Sequence, residues 1–167
     1  MKLSEMIALA VTVAIAVIFI FAVQPWLFDG QAIPLSLSSS RLDKWAEEIL
    51  RPSLYVVFGL GSLLLFLWMA KALTTGFTRT EDVLRTGGVW WLYAILLGLI
   101  SLLTMIALTF FRGWFEDSRN LEPFYWLVGF ILLDVLFIYW LPTAISTPKS
   151  MRYVPPGAML IRKIYER

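Results

Sequence analysis

Asp134 lies near the middle of Phe124–Leu141, an apolar run that contains no other charged residue. A carboxyl group deep in a hydrocarbon layer is costly, so such a residue faces a bundle interior, pairs with a partner or marks an ion path. Thr12, Ser62 and Ser101 fall near the midpoints of three further apolar runs, Met6–Val23, Ser53–Ala70 and Val89–Phe111. If the four runs bundle, these side chains meet in one polar layer. Within it Asp134 has three roles open to it. It can be a neutral acid hydrogen-bonded to Ser101, Ser62 or a backbone carbonyl, a bond that averages about 0.6 kcal/mol in membrane proteins. It can pair with a basic residue of another chain, because no lysine, arginine or histidine lies at that depth in this one. It can also bind a proton or cation on a transport route, although beyond the midpoint layer only Thr104 and Thr109 offer polar groups for one.

Other chemistry is largely excluded. The chain has no cysteine and no histidine, which removes disulfides, thiolate nucleophiles, iron–sulfur clusters, His-ligated haem, Cys/His zinc sites and Ser–His or Cys–His catalysis. Intramembrane aspartyl chemistry needs two carboxylates, and only Asp134 is at depth. Glu116, Asp117 and Glu122 share a loop with Arg112 and Arg119 and read as a solvated connection. Gly87-Gly88 lacks the lysine and serine or threonine of a phosphate-binding loop. Net charge is only +2 with the basic residues scattered, so no nucleic-acid footprint is visible. The expectation is a protein without enzymatic activity, cofactor or metal.

Four elements must position Asp134. The chain is 59% hydrophobic and 16% charged over 167 residues, with mean hydropathy +0.76. A globular domain has about 45–50% apolar and about 25% charged residues, so lipid must supply the missing outside. Each apolar run approximates the 20 or so residues needed to cross a core of roughly 30 Å, and only helices satisfy their own backbone in one such span. The spacing therefore predicts an all-α integral membrane protein with four transmembrane helices, over 6–23, 53–70, 89–111 and 124–141, making a domain of residues 1–145. Both termini and the middle loop hold nine basic residues against five on the other side. Positive-inside bias then places both termini in the cytoplasm, in a prokaryotic inner membrane. Tryptophans and tyrosines at the ends of the runs fit interfacial belts.

The connections carry further expectations. Ser40 with Asp43 resembles a capping box, and Leu42, Trp45, Ala46 and Ile49 recur at helical spacing. A short outer amphipathic helix over 41–50 follows, with Trp45 anchored in the interface or docked on a partner. Thr80–Arg85 reads as a short helical turn stopped at Gly87. On the third run Ala94, Gly98 and Ser101, with Thr104 at the edge, form a small-residue stripe suited to close contact. Residues 146–167 form a proline-broken tail ending in a basic, apolar segment. There Leu160, Ile161, Arg162, Lys163 and Ile164 would contact the inner leaflet or another chain. These features suggest a non-catalytic, small polytopic subunit of a larger membrane assembly, such as a secretion, conjugation or energy-transducing machine. The alternative is a homo-oligomeric channel or transporter using Asp134. The partners expected are the lipid bilayer and other membrane subunits.

Overall fold

The structure, a computed structural model, describes residues 3–29, 32–35, 37–75, 80–116, 121–148, 151 and 153–165. Four helices are long and apolar enough to cross a membrane: α1 (Leu3–Asp29), α2 (Ser39–Thr74), α3 (Thr80–Phe111) and α4 (Leu121–Ser146). A short α5 (Ala158–Tyr165) follows, and the described residues contain no strand. Three of the four long helices outrun the apolar stretches that suggest them at a proline.

Pro25, Pro52 and Pro142 each read in sequence as a boundary, yet each lies inside a continuous helix. A proline in a helix lacks an N–H and its ring collides with the carbonyl four residues back. Here the helix widens just before each one. Five-residue π-helical segments occupy Phe19–Val23, Ala46–Leu50 and Leu136–Trp140. The residue preceding each proline then bonds five residues back: Gln24 to the Phe19 carbonyl, Arg51 to Ala46 and Leu141 to Leu136. Such bulges are a known means of accommodating an insertion or kink. No π-helical segment falls within α3, which has no internal proline.

Two expectations change as a result. The amphipathic stretch over 41–50 is no separate helix; it belongs to the first third of α2, which starts at Ser39 after Ser38, without a side-chain cap. Its apolar face is real, but it packs on protein: Leu42, Trp45, Ala46, Ile49 and Leu50 are all buried. At 1.5 Å per residue, the 36 residues of α2 extend roughly 54 Å, well beyond a hydrocarbon core. Likewise α3 runs through Gly87-Gly88 unbroken. Glycine there costs only about 1 kcal/mol against alanine, too little to stop a helix of this length. α3 stops at Gly113, whose φ of 70° provides the left-handed turn and whose N–H reaches the Phe110 carbonyl at 3.1 Å.

α4 packs against all three other long helices. Its contact with α2 is tight at Gly61, where an added Cβ would meet the Ile138 side chain at 2.7 Å. The small-residue stripe on α3 lies looser, with the nearest atom to a Cβ on Gly98 being Val135 Cγ2 at 3.8 Å. α3 buries Trp90, Leu97, Ser101, Met105 and Thr109, and turns Leu92, Ile95, Leu99, Leu103, Ile106 and Phe110 outward. That outward stripe repeats at three- and four-residue intervals, the mark of a single helical face.

Candidate functional site

Asp134 is fully buried, and its partner comes from the other end of the chain. Gln24 on α1, also fully buried, donates from Nε2 to Asp134 Oδ1. The π turn before Pro25 carries α1 past the apparent stop and places Gln24 inside the bundle. The same turn sends the Gln24 N–H to Phe19, and Pro25 has no N–H, so the Ile20 carbonyl loses both donors that a helix would offer it. Two side-chain oxygens of the pair, Gln24 Oε1 and Asp134 Oδ2, are buried with no hydrogen-bond partner. The site is thus rich in acceptors and poor in donors.

The polar layer expected from the sequence is not assembled. Thr12 bonds back to the Ala8 and Leu9 carbonyls of its own helix at 2.9 and 3.0 Å. It sits twelve residues from Gln24 on α1, roughly 18 Å along the axis. Ser62 is only half-buried, beside the Gly61–Ile138 contact one turn inward of Asp134. Ser101 is fully buried on α3, and its hydroxyl is bonded to nothing among the described residues. Thr104 and Thr109 both turn back to carbonyls of α3. The acid's bond is therefore made by an amide that the sequence had seemed to place outside the span.

A second polar cluster joins the C-terminal ends of α2 and α4 to the start of α3. Trp68 of α2 donates to Thr147 Oγ1 at 3.1 Å, and Trp90 of α3 donates to Thr143 Oγ1 at 3.0 Å. Each threonine passes the bond on, Thr143 Oγ1 to the Trp140 carbonyl at 2.9 Å and Thr147 Oγ1 to the Thr143 carbonyl. Trp140 in turn donates to the Pro156 carbonyl at 2.8 Å, which ties the tail to the bundle, and Gly157 with φ 75° turns the chain beside that ring. Trp68, Trp90 and Tyr139 are thus buried structural donors and packing groups, not interfacial anchors. Trp26, Tyr55, Trp91, Tyr125 and Trp126 do face outward, as belt residues would.

Trp45 is corrected in the same way. It is fully buried against Phe28, with ring centroids 5.2 Å apart. The residue that grips the N-terminal end of α2 is Trp114, which donates to Glu48 Oε2 at 2.9 Å with Arg41 over its ring at 6.0 Å. In the tail, Met159 and Leu160 are exposed and Ile161 is half-buried. The side chains of Arg162, Lys163 and Ile164 lie outside the described residues. Among the described residues no group of acids, cysteines or histidines is arranged to hold a metal.

Geometrically, then, the buried polar side chains that bond across elements, Gln24 to Asp134, Trp68 to Thr147 and Trp90 to Thr143, join one helix to another. Comparison of the chain with protein-family models, with curated proteins and with solved structures yields no match.

Proposed function

We propose that this chain is a non-catalytic polytopic subunit of a larger membrane protein assembly, with both termini on the cytoplasmic side of a prokaryotic inner membrane. The observation that carries this reading is a division of labour between inside and outside. Polar side chains in the long helices join the helices to one another, at Gln24–Asp134 and at Trp68 and Trp90 on Thr147 and Thr143. The outward faces are apolar, and α3 presents a stripe of large aliphatic and aromatic side chains along its length. Secretion, conjugation and energy-transducing machines employ small helical subunits of this build, an analogy of architecture alone. Affinity purification in mild detergent, followed by identification of bound chains, tests it. A stoichiometric membrane partner is expected, and a monodisperse lone monomer would contradict it.

A homo-oligomeric proton or cation carrier is favoured by one observation, the two unpartnered oxygens at Gln24 and Asp134. It requires flux into liposomes that disappears in Asp134→Asn. Vesicles that stay tight with the wild-type protein at every pH reject it.

A further inference from the structure

The unpartnered oxygens of the Gln24–Asp134 pair ask for a positive group, and the described residues around them supply none. The nearest charged residues on the two helices are Asp29 on α1 and Glu122 on α4, both acids. On α2, Arg51 is 61% exposed and reaches to Glu47 at 3.8 Å. α3 has no charged residue from Thr86 to Phe111. An ionised Asp134 would therefore be a buried charge with one amide donor and no counter-charge, an arrangement that proteins avoid by neutralising the group.

The geometry points to a bound proton: Asp134 is the carboxylic acid half of an amide–acid pair whose second hydrogen bond runs from Asp134 Oδ2 to Gln24 Oε1. Gln24 already donates from Nε2 to Asp134 Oδ1. An amide and a protonated carboxyl each have one donor and one acceptor that can face the other, so a single proton closes a two-bond ring and satisfies both orphaned oxygens. A hard metal cation is a poorer fit, because such ions take roughly six or more oxygen ligands and the orphaned acceptors here are the pair's two side-chain oxygens and the Ile20 carbonyl. The ring links α1 to α4 across 110 residues of sequence, and it holds whether or not the chain joins an assembly.

Infrared spectroscopy of the full chain in lipid nanodiscs, with aspartate side-chain carboxyls labelled with carbon-13, reads the proton directly. Near neutral pH one labelled carboxylic acid stretch is expected, shifted by deuterium oxide and insensitive to exchange of sodium for choline. It should move to higher frequency in Gln24→Leu, where the acid loses its acceptor, and vanish in Asp134→Asn. A labelled spectrum with carboxylate bands alone would overturn the proposal, as would an acid band that persists in Asp134→Asn. Carboxylate bands that respond to sodium would replace the proton with a metal ion. The label falls on all five aspartates, so the wild-type spectrum alone shows whether any of them is protonated, and the Gln24→Leu shift and the Asp134→Asn loss each assign that band to Asp134.

Discussion

Removing one member of the Gln24–Asp134 pair strands the other, whereas exchanging either for a group with matched donors does not. Leaving a buried polar group unsatisfied costs about 1–3 kcal/mol. Gln24→Leu should therefore lower stability in mixed-micelle unfolding by about that much. Asp134→Asn offers a donor and an acceptor in the places of the protonated acid's and should cost clearly less than Gln24→Leu. Replacing both residues with leucine should recover most of the loss, because two apolar groups leave nothing unpaired. At this scale the sequence was half legible. Asp134 announces itself as a lone acid in an apolar run, but its partner was hidden because Gln24 precedes a proline and follows the end of that run. The signal for it is the amide itself, a second strongly polar side chain one residue past the end of the first apolar run.

At the scale of elements, four long helices follow from composition and run length, and their number and order are as read. Their ends are not, for one physical reason in three places. Proline in the sequence reads as a stop, and a π turn lets the helix absorb it. Tertiary packing of the continued segment, such as Trp45 on Phe28, offsets what local propensity opposes. The aromatic residues mislead similarly, since a tryptophan at a helix end has the same address whether it faces headgroups or donates inward to a threonine. Glycine shows the limit of pattern reading most plainly. The stripe on α3 was visible, yet the tight contact is at Gly61 on α2. Gly61→Ala should cost about 1–3 kcal/mol through overpacking against Ile138. Gly59→Ala, with open space around its Cβ, should be neutral or gain up to about 1 kcal/mol from helix propensity. Parallel unfolding curves of the two variants check this; equal effects would remove the case for a close α2–α4 approach.

For the molecule as a whole, the proposed topology puts the N-terminal end of α2 and the connection between α2 and α3 on opposite sides of a bilayer. The absence of cysteine makes this simple to test with single-cysteine variants. Ser39→Cys and Leu84→Cys both replace exposed residues. In intact cells an impermeant thiol reagent should label Ser39→Cys, and should reach Leu84→Cys only after lysis; the reverse pattern would invert the orientation. The central claim is that a bundle holding its polar groups inside acts by binding other membrane chains through its apolar outside. Native mass spectrometry of the particle released from mildly solubilised membranes tests that claim most directly. A mass that contains the 19.1 kDa chain together with a different protein in fixed ratio is the expected result. A particle of this chain alone, single or in whole-number multiples, would contradict it.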